Sequence, residues 1–346
     1  AYRVCGALID KTALKQYIFS KEIPFYELTM YVAVPPANHL YILNSVRQPS
    51  THIMILPLLA LIGLTNAAVI QRDSSLPNIV IGNDDGWATA NIRSFYDELK
   101  AAGFKAIISA PADNKSGTSG LDLPPIPLIT AGEFNTIPAL SPATGSDSND
   151  PNIHYVNSFP ATAVRYGIDE FAPKVFGAKP QLVVTGVNVG GGLNSGAATL
   201  AVDRGIPAIA FSGKGGSQHI YSEPDSVADV YAKVATKVVQ TVVAAGAPYL
   251  PAKVGLNVNI GMATESLCQN PSDFKFVLSR LNPDINPLTD DVDQCGTNHL
   301  PTESSVLGRG NCYVSISAFS SKTKLDVSKD VQKVVRDKLA SILTCN

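Results

Sequence analysis

Two adjacent carboxylates follow an apolar stretch of this chain. The run Asn78 to Gly82 is typical of a buried parallel strand, and Asn83-Asp84-Asp85-Gly86 comes directly after it. Open α/β sheets bind their ligands at the carboxyl ends of their strands. Two neighbouring carboxylates repel each other, and a divalent cation relieves that repulsion. The tetrapeptide therefore predicts a metal-dependent enzyme in which Asp84 and Asp85 do the chemistry.

Two further polar loops could complete such a site. The segment from Ala110 to Gly120 offers hydroxyl and amide oxygens, among them those of Asn114 and Ser116, and Asn188 lies among glycines in a third segment. The loops of a parallel sheet open at one edge, so all three can converge. Carboxylate, hydroxyl and amide oxygens suit Mg²⁺, Mn²⁺ or Ca²⁺ better than zinc or copper. The alternative for Asp84-Asp85 is a helix N-cap followed by an acidic first turn.

The elements that must position these loops alternate between strands and helices. Alternation of this kind predicts an α/β fold, with a parallel sheet covered by helices on both faces. The segment from 121 to 152 is rich in Pro, Ser, Thr, Gly and Asn and predicts an irregular loop. The predicted strands are Asn78–Gly82, Phe104–Ala110, Ile153–Val156, Gln181–Thr185, Pro207–Phe211, Val254–Ile260, Phe274–Leu281 and Tyr313–Ala318. The predicted helices are Asn91–Ala102, Pro160–Phe171, Gly196–Arg204, Ser226–Ala245 and Val327–Leu343.

Composition limits the class of protein. Apolar residues make up 45% of the 346 residues and charged residues 16%, which suits a globular protein with a well-filled core. The net charge of −2 and the pI near 6.2 give no global basic field. Nucleic-acid polymers are therefore excluded as partners, whereas a small phosphorylated ligand is compatible with this charge.

The N-terminal part differs from the rest of the chain. Residues 1–53 show no sustained periodicity and predict a disordered or spurious leader. The segment 54–68 is a short apolar run followed by small residues, which predicts a secretory signal peptide, with a buried helix as the alternative. The run is too short for a stable membrane span. Residues 73–346 would then form one catalytic domain with a C-terminal elaboration.

Cysteine usage agrees with export. Outside the leader the chain has Cys268, Cys295, Cys312 and Cys345. An even number of cysteines in an exported chain predicts two disulfides, which allow three pairings. We prefer Cys268 with Cys295 and Cys312 with Cys345. The absence of a CxxC pair disfavours a zinc site.

Five motifs in order resemble those of the SurE-type 5′/3′-nucleotidases. They are Asn83-Asp84-Asp85-Gly86, Ala110-Pro111-x-x-Asn114-x-Ser116-Gly117-x-Ser119, Gly186-x-Asn188 with Ser195-Gly196, Gly205-Ile206-Pro207-Ala208-Ile209-Ala210, and Tyr313-Val314-Ser315-Ile316. The similarity covers roughly residues 78 to 345. It implies a Rossmann-like, doubly wound core, hydrolysis of nucleoside monophosphates or other phosphomonoesters, and assembly into dimers or tetramers.

The resemblance also implies roles for individual residues. Carried across by motif, the metal ligands are Asp84, Asp85, Ser116 and Asn188. From the chemistry of phosphomonoester hydrolysis, we expect one of the two aspartates to help deprotonate the attacking water. The candidates for binding phosphate are Asn83, Asn114, Ser195 and Gly196, the last two through backbone N–H groups at the start of a helix.

This chain departs from the family pattern at the anion pocket. Ala197 stands where the family prefers a threonine whose hydroxyl touches phosphate. This substitution favours one alternative to a nucleotidase, a weakly active relative that binds nucleotides or phosphate. A separate enzymatic alternative is a broad acid phosphatase acting on non-nucleotide substrates. Trp87 could stack on a nucleobase or only line the pocket. Asn114-Lys115-Ser116 matches a glycosylation sequon, which we expect to be unmodified because a glycan would block the pocket.

Overall fold

The structure is a computed structural model. It describes residues 76–118, 120–190, 195–284 and 290–345, together with four short strands nearer the N terminus. The chain divides into two compact units, Ala1–Arg72 and Asp73–Asn346. In the first unit, β1 (Tyr2–Val4) pairs antiparallel with β2 (Ala7–Ile9), and β3 (Tyr31–Val32) with β4 (Tyr41–Ile42). The predicted signal peptide at 54–68 lies outside the described residues.

The second unit is built on one nine-stranded sheet with the order β12-β13-β11-β10-β9-β5-β6-β8-β7. Its strands are β5 (Asn78–Gly82), β6 (Lys105–Pro111), β7 (Thr144–Ser146), β8 (Ile153–Val156), β9 (Leu182–Val189), β10 (Ala208–Gly213), β11 (Val254–Ile260), β12 (Lys275–Ser279) and β13 (Tyr313–Ser320). The strands from β8 across to β11 are parallel, whereas β7 pairs antiparallel with β8 and β13 pairs antiparallel with β11.

The strand order reverses beside β5. From β5 the chain continues to β6 on one side, and it later returns to the other side of β5 with β9 and continues outward to β10. Strand β5 therefore lies at a topological switch point. The connections on its two sides diverge there and leave a crevice at the carboxyl ends of the strands. The loops after β5 and β9 both open into this crevice.

Helices cover both faces of the sheet and bury its apolar side chains. The α-helices are α1 (Ala90–Ala101), α2 (Pro160–Tyr166), α3 (Ala172–Phe176), α4 (Ser195–Asp203), α5 (Ser226–Ala244), α6 (Glu303–Leu307) and α7 (Lys329–Leu339). One core cluster joins α1, α5 and α7 to the sheet, and a second joins α2, α3 and α4 to its opposite face. The predicted doubly wound α/β fold is confirmed.

Most predicted elements agree with the observed bounds, and the differences include β9 and the segment 121–152. The strand predicted at Gln181–Thr185 is β9, which continues to Val189 through the glycine-rich segment. The segment 121–152 contains a 3-10 turn at Glu133–Asn135 and the edge strand β7, neither of which its composition predicted. No helix among the described residues is long and apolar enough to cross a membrane.

The preferred disulfide pairing is wrong. The structure joins Cys268 to Cys312 and Cys295 to Cys345, with Cα–Cα distances of 5.5 and 5.2 Å. The reason is the antiparallel pairing of β11 with β13. Cys268 lies in the loop that follows β11, and Cys312 directly precedes β13, so the two cysteines lie at the same edge of the sheet.

Candidate metal and phosphate site

The carboxylate of Asp85 connects the three strand-end loops. It follows β5 and is buried, with 3% of its surface exposed. Its Oδ1 accepts a hydrogen bond from Oγ of Ser116 at 3.2 Å, and its Oδ2 accepts one from the main-chain N–H of Val189 at 2.7 Å. The convergence that the sequence predicted for the loops after β5, β6 and β9 is therefore present at this side chain.

Neither aspartate caps a helix. Helix α1 begins at Ala90, and its N-cap residue is Thr89. Asp84 and Asp85 lie in the turn between the strand and this helix, which Gly86 makes possible with a φ of +113°. The alternative interpretation of the carboxylates as a helix cap is therefore wrong.

A β-bulge lies near the end of β9, directly before Asn188. Thr185 pairs with Ala210 of β10 and Asn188 pairs with Ser212, so β9 has one extra residue in this interval. Gly186 has a φ of +115°, and a Cβ atom there would collide with the carbonyl oxygen of Phe211. Only glycine can occupy this bulge without moving the neighbouring strand.

The loop after β6 packs against the aspartates through its backbone. The N–H of Lys115 donates to the carbonyl oxygen of Asp84 at 2.7 Å. The side chain of Asn114 stabilises the turn, since its Oδ1 accepts from the N–H of Ser116 at 2.8 Å. These contacts hold the Ser116 hydroxyl beside Asp85.

Burial and mutual repulsion make both aspartates weaker acids than usual. Desolvation, followed by the charge of Asp85, raises the pKa of Asp84 from 3.8 to about 6. Desolvation also raises the pKa of Asp85, and its hydrogen bonds from Val189 and Ser116 oppose that shift. A carboxylate pair with raised pKa values in a crevice is typical of a functional site.

The oxygen atoms at this site fit a hard divalent cation. Oδ1 of Asp84 and Oδ1 of Asn188 are buried and have no hydrogen-bond partner among the described residues. Buried oxygens without a donor are costly unless a water molecule or an ion satisfies them. Groups of three or more His, Cys, Asp or Glu side chains able to hold a metal are absent from the described part of the chain. A cation here would be held by two carboxylates and neutral oxygens, a set that suits Mg²⁺, Mn²⁺ or Ca²⁺.

The predicted phosphate-binding residues have different surroundings. The Nδ2 of Asn83 is buried without an acceptor among the described residues. Helix α4 begins at Ser195, and Gly196 lines a groove of about 350 Å³ together with Gly120 of the second loop and Thr199. Both ends of the Asn114 amide, in contrast, contact protein atoms, with Nδ2 donating to Oε1 of Gln218 at 2.5 Å.

Ala197 and Trp87 both have buried side chains. The side chain of Ala197 is buried in the apolar cluster beneath α4. Trp87 is only 3% exposed; its indole N–H donates to Oγ1 of Thr136, and its ring packs edge-on against Tyr155. Trp87 therefore forms part of the wall and offers little surface to a nucleobase. Ser119 and the side chain of Ser195 lie outside the described residues.

Sequence reasoning missed Glu133 and Gln218. Glu133 comes from the segment predicted to be an irregular loop, yet it is 7% exposed, and its Oε2 accepts from the N–H of Ala88 at 2.8 Å. Desolvation raises its pKa from 4.5 to about 7. Gln218 donates from Nε2 to the carbonyl oxygen of Asp85 at 2.8 Å. The only sequence signal for Glu133 was a carboxylate in a segment with few other charges.

Comparison with known proteins identifies relatives along most of the second unit. The family model described as "Survival protein SurE" matches residues 79–280. An acid phosphatase of Yarrowia lipolytica is 34% identical over 296 residues, which cover 73% of this chain and 82% of the relative. A protein named 5′-nucleotidase SurE from Halobacterium salinarum is 32% identical over 166 residues, covering 45% of this chain and 54% of that relative.

The fold is also found among solved structures. The crystal structure of the SurE protein from Aquifex aeolicus superposes with a TM-score of 0.50 at 21% identity. The match covers 75% of this chain and 99% of that protein. At this identity the likeness concerns the fold alone.

Proposed function

Since this chain belongs to the SurE family and is a phosphoric monoester hydrolase of that family, we propose that its main substrates are nucleoside 5′- and 3′-monophosphates. The observation that carries the proposal is the contact of Asp85 with both Ser116 and Val189, which brings the three polar loops together at one edge of the sheet. The curated relatives include proteins named 5′-nucleotidase, which supports the choice of substrate.

Asp84, Asp85, Ser116 and Asn188 would hold a divalent cation, Mg²⁺ or Mn²⁺ foremost and Ca²⁺ as a further candidate. The unpartnered oxygens of Asp84 and Asn188 support this assignment. When bound, such a cation would supply positive charge that polarises the phosphoryl group and makes water more acidic.

Asp84 is the better placed of the two aspartates to accept a proton from the attacking water. Its Oδ1 has no hydrogen-bond partner among the described residues, so this oxygen can accept a proton from a water molecule that enters the site. Asp85 has a different part, because both of its carboxylate oxygens already accept hydrogen bonds from the protein. These two hydrogen bonds stabilise the ionised form of Asp85 and fix the orientation of its carboxylate. Asp84 then accepts the proton from the attacking water.

The phosphate of the substrate would lie between Asn83 and the start of α4. The buried Nδ2 of Asn83 needs an acceptor, and a phosphoryl oxygen supplies one. Backbone N–H groups at Ser195 and Gly196 open the helix, and the positive end of a helix dipole favours an anion. These donors would orient the phosphorus atom for attack in line with the departing alkoxide.

One assay tests the proposal directly. Phosphate release is measured over a panel of nucleoside 5′- and 3′-monophosphates, first with a chelator and then with Mg²⁺, Mn²⁺ or Ca²⁺ returned. We expect turnover to vanish with the chelator and to return with at least one of the cations. Turnover that is insensitive to the chelator would contradict the cation assignment.

A second candidate is a broad acid phosphatase. One observation favours it, since the Yarrowia lipolytica relative, which aligns over 296 residues, is named acid phosphatase. Comparing kcat/KM for adenosine monophosphate and an aryl phosphate at acid and neutral pH separates the two candidates. A nucleotidase prefers the nucleotide at both pH values, whereas a broad phosphatase does not distinguish the leaving groups.

A third candidate is a relative that binds nucleotide or phosphate with little turnover. The buried methyl group of Ala197, in place of a hydroxyl, supports this candidate. Calorimetry that finds tight, cation-dependent binding of a nucleotide, with no phosphate released over the same period, would favour it over both enzymes.

Export and assembly belong to the proposal as well. Two disulfides and the fungal acid phosphatase relative support a route through the secretory pathway, for which the predicted signal peptide at 54–68 would be responsible. The family resemblance supports a homodimer or a homotetramer. The N-terminal sequence of secreted protein and its mass by light scattering test these two points.

A further inference from the structure

Four residues from three loops form a closed ring of hydrogen bonds around the candidate cation site. Ser116 donates from Oγ to Oδ1 of Asp85 at 3.2 Å, and its N–H donates to Oδ1 of Asn114 at 2.8 Å. Asn114 donates from Nδ2 to Oε1 of Gln218 at 2.5 Å, and Gln218 donates from Nε2 to the carbonyl oxygen of Asp85 at 2.8 Å. We call this the amide ring.

We propose that Gln218, held by Glu133, is a positioning residue that sets the separation of the ligands Asp85 and Ser116. The inference rests on the proposed function, because it assigns the two residues to the cation site described there. Gln218 belongs to the loop after β10, whereas Asp85 and Ser116 belong to the loops after β5 and β6. The loop after β10 thus ties the other two together without supplying a ligand itself.

Glu133 fixes the direction of the Gln218 amide. Its Oε1 accepts a hydrogen bond from Nε2 of Gln218 at 3.0 Å, and its Oε2 accepts one from the N–H of Ala88 at 2.8 Å. The two hydrogens of Nε2 are then both used, one on Asp85 and one on Glu133, while Oε1 is turned toward Asn114. A reversed amide would place donor against donor at Asn114 and acceptor against acceptor at both other contacts.

Glu133 also braces the turn that carries the aspartates. Its carboxylate occupies the space where a side chain at Gly86 would begin, so the turn packs directly against it. The backbone of Glu133 is held in place as well, because its N–H donates to the carbonyl oxygen of Ala112 at 2.9 Å. This hydrogen bond links Ala112, at the start of the loop after β6, to Glu133.

We expect the amide ring to contribute more to the geometry of the cation site than to the stability of the fold. Gln218 is exposed and lies in a polar loop, so its side chain buries little apolar surface. Residues that orient metal ligands through hydrogen bonds typically change metal affinity or activity by about 10- to 100-fold when they are removed. We therefore expect the effect of removing Gln218 to appear in cation binding rather than in unfolding.

Gln218→Met and Glu133→Gln test the inference without altering a ligand. The methionine has a similar length and makes none of the ring's hydrogen bonds. The glutamine at 133 can still accept from Ala88, but its amide nitrogen then faces Nε2 of Gln218 and forces that amide to turn. Gln240→Met, on the exposed side of α5, is the matched control.

The first measurement is the affinity of the full chain for Mn²⁺ alone, by calorimetry without substrate. We expect Gln218→Met and Glu133→Gln to bind Mn²⁺ at least about tenfold more weakly than the unmodified protein. The control should bind Mn²⁺ as the unmodified protein does. Melting temperatures are recorded in parallel without Mn²⁺, and we expect Gln218→Met to melt close to the unmodified chain.

The second measurement separates positioning from chemistry. At saturating Mn²⁺ we expect kcat of Gln218→Met to recover to within about threefold of the unmodified value, because its ligands and its base are intact. Mn²⁺ affinity within twofold of the unmodified protein in both variants would overturn the inference while leaving the phosphatase proposal standing. An unmodified chain that neither binds Mn²⁺ nor releases phosphate would overturn both, and the two failures are thereby distinguished.

Discussion

The main-chain N–H of Val189 donates to Oδ2 of Asp85 at 2.7 Å across 104 residues of sequence. The contact joins the ends of β9 and β5, the two neighbouring strands at the switch point of the sheet. It also places Asn188, the residue before Val189, beside the aspartate turn.

Replacing either aspartate should abolish most of the activity. Asp84→Asn removes both a charge from the cation site and the proposed proton acceptor, so we expect phosphate release to fall by at least about 100-fold. Asp85→Asn should have a similar effect by weakening the cation site. Asp97→Asn, on the exposed surface of α1, is the control. Steady-state phosphate release at saturating Mn²⁺ is the measurement, and substantial turnover in Asp84→Asn would rule out its assigned roles.

Asn188→Leu should weaken cation binding. The unpartnered Oδ1 of Asn188 is the atom that we assign to the cation, and leucine keeps a similar size without it. We expect Mn²⁺ affinity to fall by about tenfold or more in calorimetry without substrate. Asn149→Leu, at an exposed position, should leave the affinity unchanged. Equal affinities in the two variants would place Asn188 outside the site.

Gly86→Ala should damage both stability and activity. Its φ of +113° is unfavourable for alanine, and the new Cβ would collide with the carboxylate of Glu133. Gly177→Ala is the matched control, since Gly177 has a φ of +74° and open space around it. In chemical denaturation we expect losses of about 3 kcal/mol for Gly86→Ala and about 1 kcal/mol for Gly177→Ala. Similar losses would mean that the Glu133 contact imposes no constraint.

The disulfide pairing can be read from peptides. Digestion without reduction should release a peptide pair that contains Cys268 and Cys312, and another that contains Cys295 and Cys345. Removing the first bridge in Cys268→Ser/Cys312→Ser should cost about 4 kcal/mol, because the cysteines are 44 residues apart and the unfolded chain regains the freedom of that loop. A linked peptide with Cys268 and Cys295 would contradict the structure.

Glu303 should make stability fall as pH rises. Desolvation raises its pKa from 4.5 to about 7, although Asn257 and Asn259 donate to its carboxylate. A carboxyl group with a raised pKa in the folded state stabilises the protein below the unfolded pKa, and that contribution is lost between about pH 4.5 and 7. We expect a loss on the order of 2 kcal/mol over this window.

Glu303→Gln isolates that effect. Asp84 and Glu133 also have raised pKa values, and they remain in both proteins, so the difference in slope belongs to Glu303. The unfolding free energy of each protein is measured at intervals from pH 4.5 to 7 without added metal. Parallel curves for the two proteins would show that Glu303 does not titrate in this range.

The local pattern predicted the central elements of the sheet well. The strands Asn78–Gly82, Ile153–Val156 and Val254–Ile260 have the bounds that their apolar runs predicted. Almost all residues of these strands are buried, and apolar side chains recur at successive or alternate positions, so the signal is strong. The edge strand β7 has no such run, because Thr144, Gly145 and Ser146 are partly or fully exposed, and the sequence did not predict it.

The length of β9 and the disulfide pairing depended on distant parts of the chain. Gly186 suggested the end of a strand. In the structure β9 continues past Gly186, because a β-bulge in β9 lets it stay paired with β10. The cysteines are paired according to the order of β11 and β13 in the sheet. Spacing along the sequence carries no information about that order.

The motif resemblance named the candidate ligands Asp84, Asp85, Ser116 and Asn188, whereas the amino-acid sequence by itself determined the α/β class and the edge at which the polar loops meet. It could do so because strand burial and loop chemistry are local properties of neighbouring residues. Only the tertiary structure decided that Glu133 and Gln218 contact the aspartate turn, and that Trp87 is buried in the wall. These contacts join segments about 45 to 133 residues apart, so they arise only when the whole sheet is assembled.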